Sequence, residues 1–157
     1  MSRYVHKAQC MVGQYSQYTY PHLDNITVNG VNTLGENIAD NGGIMTSYRA
    51  YGEWLVMVVS CNSTLLSESW TARHGAEPLL PGLSFSPSQL FWISAANVWC
   101  AKHRPGDLKM SVLLGTHTPA NYRIKGTFSN IKEFSDAFQC RRGSEMNPVA
   151  DQKCKVW

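Results

Sequence analysis

Glu36 and Asp40 stand four residues apart, the spacing that puts two side chains on one helix face. Two like charges so placed cost an isolated helix roughly 0.2–0.5 kcal/mol, and a cation beside them removes that penalty. One carboxylate can ligate a metal while the other orients a histidine ligand from behind, an arrangement zinc sites commonly require. A plainer reading exists. Thr33-Leu34-Gly35-Glu36 fits a capping box with Thr33 as N-cap and Glu36 reaching back to it, and spacing alone leaves both readings open. Thr116-His117-Thr118-Pro119, with Arg123 close behind, can donate hydrogen bonds to an oxyanion from a proline-stiffened turn, or can be an ordinary surface histidine and arginine. Phe91, Trp92 and Trp99 can pack a core or line an apolar substrate pocket.

The histidines limit what these groups can do. His6, His22, His74, His103 and His117 include no H-E-x-x-H and no pair four apart. A catalytic zinc takes three protein ligands, so these residues offer a fraction of a site. Cys10, Cys61, Cys100, Cys140 and Cys154 are dispersed without a C-x-x-C, which argues against metal knuckles and redox motifs. With two N-glycosylation acceptors, Asn25-Ile26-Thr27 and Asn62-Ser63-Thr64, they point to an oxidising, secretory environment. The N-terminus shows no apolar signal-peptide core, so the expectation is a secretory chain lacking its start.

Those residues need elements to hold them. The 157 residues are one domain's worth, with 43% hydrophobic and 16% charged residues, a composition that packs a core. The net charge of +3 is scattered except for Arg141–Arg142, which gives no clustered face for nucleic acid. The longest apolar run, Leu55 to Val59, falls far short of the ~20 residues that cross a membrane. Loop and a short helix around Ala8–Tyr15 are expected first. A helix then starts at Thr33 and carries Ile38, Ile44, Met45, Tyr48, Tyr51 and Leu55. The Gly42-Gly43 pair inside it suggests close packing against the backbone. A second helix, capped by Ser86 with Pro87 and Gln89, is expected to run to about Lys102 and to be ended by Pro105-Gly106. Asp107–Leu114 reads as a short helix or extended piece and Thr116–Gly126 as loop. Asn130 is expected to cap a third helix through Phe138, before a basic loop tail from Cys140.

Together these segments resemble the neprilysin family of zinc metalloendopeptidases, which includes the endothelin-converting enzymes. The resemblance rests on Val28 through Gly43, containing E-N-I-A-D-N-G-G, and on Tyr48-Arg49-Ala50-Tyr51, Leu79-Leu80-Pro81-Gly82-Leu83, Gln89-Leu90-Phe91 and Val98-Trp99-Cys100. It continues in His117-Thr118-Pro119, Tyr122-Arg123, Phe134, Phe138, Cys140, Met146-Asn147-Pro148 and Cys154-Lys155-Val156-Trp157, and so covers nearly the whole chain. It implies a mainly α fold: the C-terminal part of a thermolysin-like zinc peptidase catalytic domain, helices joined by long loops. Glu36 matches the family's third zinc ligand and Asp40 the acidic residue one turn on, which orients a zinc-bound histidine. His117 matches the histidine that stabilises the transition state, Arg123 the arginine that holds the peptide backbone, and Trp99 a wall of the pocket beyond the scissile bond. The implied reaction is hydrolysis of short peptides with one zinc ion. The implied setting is an extracellular or plasma-membrane ectodomain.

The resemblance also implies a Cys10–Cys154 disulfide and leaves Cys100 and Cys140 without their upstream partners. The sequence departs from the family pattern in three ways. H-E-x-x-H is absent, so the site is incomplete and the chain alone is expected to be inactive, needing the missing N-terminal part of the same peptidase. Gly115 stands two residues before His117, where the family usually has an acidic residue. Residues 55–71 have no counterpart and are expected to be an insertion into a single partial domain of residues 1–157, with a helix extension as the alternative. A truncated, non-catalytic peptide- or partner-binding form is the competing functional reading.

Overall fold

A computed structural model describes residues 2–60 and 78–156. Helix α1 (Ser2–Tyr15) leads into a hairpin of β1 (Thr19–Tyr20) and β2 (Ile26–Thr27), antiparallel with Thr19 opposite Thr27 and Tyr20 opposite Ile26. Helix α2 (Leu34–Ser60) follows, then α3 (Pro87–Asn97), α4 (Pro105–Leu114), α5 (Ala120–Ser129), α6 (Lys132–Ala137) and a 3-10 turn at Ala150–Gln152. The mainly helical architecture is the expected one.

Three apolar clusters tie these elements together. Ala8, Met11 and Tyr15 recur along one face of α1 and pack with Ile38 of α2 and Cys154 of the tail. Tyr20, Leu23 and Val28 of the hairpin region pack on Val112 of α4. Trp92, Phe128 and Ile131 form the third cluster, with Tyr48, Phe91 and Phe134 around them. Trp92 is 1% exposed. Aromatic rings meet it from three elements: Tyr48 stacks on it at 4.7 Å, and Phe128 and Phe134 approach edge-on at 5.3 and 5.6 Å. A polar network centred on Asn130 joins the first and third clusters. Asn130 pairs reciprocally with Gln14, donates to Asn41 Oδ1 and accepts the backbone N–H of Cys154.

Several boundaries differ from the sequence expectation. Helix α1 starts at Ser2, ahead of the Ala8–Met11–Tyr15 stripe that α2 and the tail cover; Tyr4 and Val5 of its first turns are exposed, and Lys7 is tied to the Val156 carbonyl. The Ser86–Gln89 capping box of α3 forms in both directions. The Thr33–Glu36 box does not form. The Thr33 N–H already bonds Asn29 O, and its hydroxyl donates to Asn29 O and accepts from Asn37 Nδ2. Helix α3 stops at Asn97, where i→i+3 bonds from Trp99 and Cys100 tighten its end. Pro105 opens α4 rather than closing α3, because its fixed φ and missing N–H suit a first helical turn. Pro119 likewise precedes a helix, α5, across part of the expected loop. Asn130 is the C-cap of α5, and Ile131 precedes α6. A Cβ built on Gly43 meets nothing within 4 Å, so close packing at that glycine is not the reason for it. Helix α2 continues to Ser60; the rest of the expected insertion, with Cys61 and the Asn62 acceptor, lies outside the described residues.

Candidate active site

Helix α2 presents Glu36 and Asp40 one turn apart, the α4–α5 connection brings His117, and the first turn of α5 brings Arg123. His117 Nε2 lies 2.8 Å from Glu36 Oε2, with both side chains about half exposed. Arg123 binds Asp40 through two bonds, Nε to Oδ2 and Nη2 to Oδ1, each 2.7 Å. That pair is better shielded, the Arg123 and Asp40 side chains being 21% and 10% exposed. Hydrogen bonding to Asp40 is the main cause that holds the Arg123 guanidinium above its ordinary pKa. A forked arginine–carboxylate pair fixes geometry as well as charge. It also leaves the Nη1 donors for another acceptor. The Trp99 ring lies 5.2 Å from Arg123 Cζ, within cation–π range. Trp99 also lines a cavity of about 550 Å³ with Phe91, Leu90 and Ile44.

Asn37 and Thr118 belong to this site and were not singled out from the sequence. Asn37 is 1% exposed and Thr118 2%. Thr118 Oγ1 donates to Asn37 Oδ1 at 2.7 Å, while Asn37 Nδ2 donates to Thr33 Oγ1 at 2.9 Å. The residue after Glu36 thus anchors the residue after His117, which sets the two facing groups on one buried amide. The available signal was a polar residue beside Ile38, at a helix position that packs inward. Gly115 has a steric reason. A Cβ there lies 2.4 Å from the Ser111 carbonyl oxygen, too close for any side chain in this turn. Its N–H closes α4 on Ser111 O, and its carbonyl accepts from Asn32 Nδ2. Cys10 and Cys154 are joined in a disulfide, and Cys100 and Cys140 are free thiols.

Among the described residues no group of three His, Cys, Asp or Glu side chains converges on a metal position. Glu36 is a suitable oxygen donor, but the described residues do not themselves form the three-ligand set of a catalytic zinc.

The sequence and the fold are similar to those of known metallopeptidases. The profile of Peptidase family M13 matches residues 1–156. Neprilysin-2 of Drosophila melanogaster is 44% identical over 154 residues, 98% of this chain and 17% of the relative. Human neprilysin is 42% identical over 156 residues, 99% of this chain and 18% of the relative. Among solved structures, the Haemonchus galactose containing glycoprotein complex superposes with a TM-score of 0.79 at 38% identity, covering 98% of this chain and 23% of that one. The Mycobacterium tuberculosis zinc metalloprotease Zmp1 in complex with inhibitor shares the fold with a TM-score of 0.78 at 22% identity, over 99% of this chain and 22% of that one. The chain belongs to peptidase family M13, the neprilysin family, whose peptidases are zinc-dependent. It spans about a fifth of the length of the curated relatives it matches.

Proposed function

We propose that this chain is the C-terminal portion of the catalytic domain of a zinc metalloendopeptidase that hydrolyses short peptides. Glu36 is the carboxylate it contributes to a zinc centre whose other ligands lie outside these residues. Zinc, when bound, supplies Lewis-acid charge to a peptide carbonyl and to water. The chain's own residues supply the rest. His117 Nε2 meets Glu36 here; with Glu36 turned to zinc, its single N–H would donate to the oxygen on which negative charge develops, and such a donor is worth about 2.7–4 kcal/mol in the transition state. Arg123, steadied by Asp40 and packed against Trp99, has Nη1 donors left to hold a substrate carbonyl. Both Asp40 oxygens accept from Arg123, so its role is to accept and orient; their remaining lone pairs can fix a histidine ligand of the zinc. Trp99 and Phe91 wall the cavity for an apolar substrate side chain.

The observation that carries this reading is the paired geometry: Glu36 against His117 and Asp40 against Arg123, drawn from three elements onto one face. The disulfide and the Asn25 acceptor, on an exposed turn with φ 56°, favour an extracellular or plasma-membrane ectodomain setting. No described helix is long and apolar enough to cross a membrane. The test is hydrolysis of a short peptide by the chain alone and by the chain mixed with a separately expressed family segment carrying H-E-x-x-H. Zinc-dependent cleavage only in the mixture is expected. Tight peptide binding with no cleavage in a mixture that does assemble would replace this reading with a non-catalytic binding role.

A further inference from the structure

On a different part of the molecule, a cavity of about 590 Å³ opens between α1, α6 and the C-terminal tail. Its volume lies within the range of small-molecule sites, and it shares no lining residue with the candidate active site. Its charge is unusual for this chain. Lys7, Lys132, Arg142, Lys153 and Lys155 line it against one acidic residue, Asp136, while the whole chain carries only +3. Cations far apart in sequence are therefore gathered in one concave place. The Cys10–Cys154 disulfide gathers them: Cys10 lies one turn beyond Lys7 on α1, and Cys154 sits between Lys153 and Lys155.

The internal pairing leaves much of this charge unused. Asp136 is engaged by Lys132. Lys7 Nζ spends one of its three donors on the Val156 carbonyl at 2.8 Å. Among the described residues Lys153 Nζ reaches the Ser135 hydroxyl, at 3.4 Å. Burial first, and then the charge of Lys155, push the Lys153 ammonium below its ordinary pKa; a bound anion would relieve that repulsion. Arg142 contributes a planar fork suited to a tetrahedral oxyanion.

We propose that this cavity is a binding site for a multiply charged oxyanion of the class a sulfated oligosaccharide provides. Several separated cations around a space this large match several anionic groups on one molecule better than a single small ion. The disulfide places the chain where sulfated glycans, rather than cytosolic phosphates, are encountered. The test is calorimetric titration of the full chain with a heparin-derived tetrasaccharide, the same saccharide desulfated, and inorganic pyrophosphate. One-to-one binding of the sulfated form is expected, weakening about tenfold or more as added salt screens the charges. Arg142→Gln and Lys155→Gln are each expected to lower affinity severalfold; both alter exposed side chains, and circular dichroism reports their folding. Lys102→Gln, exposed and outside the cavity, is expected to leave affinity unchanged. No binding, an equal loss in Lys102→Gln, or undiminished binding of the desulfated sugar would overturn the proposal. Pyrophosphate binding as tight as the saccharide's would overturn the assignment to a sulfated sugar.

Discussion

The tightest constraint at the scale of single residues is the Asp40–Arg123 pair, two 2.7 Å bonds largely shielded from solvent. Removing the carboxylate leaves a shielded guanidinium without its partner, a change that typically costs about 2–4 kcal/mol. Asp40→Asn is therefore expected to lower the denaturation midpoint of the chain by that equivalent in urea unfolding. Glu36→Gln is expected to change it far less, because the Glu36–His117 contact is half exposed and exposed pairs contribute about 0–1 kcal/mol. Gly115 gives a second prediction. Restoring the acidic residue usual in the family, by Gly115→Asp, drives a Cβ to 2.4 Å from a backbone carbonyl. Overpacking of this kind costs about 1–3 kcal/mol, so thermal unfolding of Gly115→Asp is expected at a lower temperature than that of the parent chain.

At the scale of elements, three tyrosines lock α1, the hairpin and α5 together. Tyr15 is 0% exposed, and its hydroxyl meets Thr127 and Asn41. Tyr18 stacks on Tyr122 with centroids 4.4 Å apart, and Tyr20 donates to Asn121 Oδ1. Burial is the leading cause that pushes the Tyr15 phenol up to about 12 and raises Tyr18 and Tyr20 as well. The unfolded chain releases these protons near pH 10, where the folded chain keeps them. The resulting stabilisation is complete below pH 10 and is lost as pH rises toward 12. For Tyr15 alone the linkage is about 3 kcal/mol. Circular dichroism across pH 8–12 is expected to show cooperative unfolding well above pH 10, with Tyr15→Phe shifting that loss upward.

The α3 start was legible in the sequence because Ser86, Pro87 and Gln89 are local signals that need no tertiary partner. The Thr33 box, one of two readings left open by spacing, does not form: Asn29 and Asn37, each four residues away, satisfy Thr33 locally, and His117, 81 residues beyond Glu36, takes that carboxylate. Pro105 reads as a helix stop and Pro119 as part of a loop, although each sits where a helix begins. For the candidate site, the residue types and the E-N-x-A-D string could be read directly. The buried Asn37–Thr118 bond and the Asp40–Arg123 fork could not, since each joins residues more than 80 apart in sequence.

For the whole molecule, the covalent tie between the first helix and the tail sets the topology. The Cys10–Cys154 bridge spans 144 residues, and a loop of that length carries a chain-entropy stabilisation of about 5 kcal/mol. Reduction with a thiol, monitored by thermal unfolding, is expected to release the tail from α1 and lower the midpoint sharply. An unchanged midpoint would show that apolar packing alone holds the ends together. The other feature at this scale is apolar surface left uncovered. Leu80 and Val98 are exposed where they line the Trp99 cavity, and Leu79, Leu83 and Phe85 are exposed in the segment before α3; exposed apolar surface of this kind can mark a contact surface. It fits the proposed function, in which the site is completed by residues outside this chain.

The central claim is that Glu36 ligates zinc in a centre shared with a family segment carrying H-E-x-x-H. Its most direct test is the zinc affinity of the assembled mixture, measured by competition with a chelator, for the parent chain and for Glu36→Gln. One zinc per assembly is expected, with an affinity at least about 100-fold weaker in the variant, more than loss of an outer hydrogen-bonding partner would cause. Equal affinity in the two assemblies would contradict it.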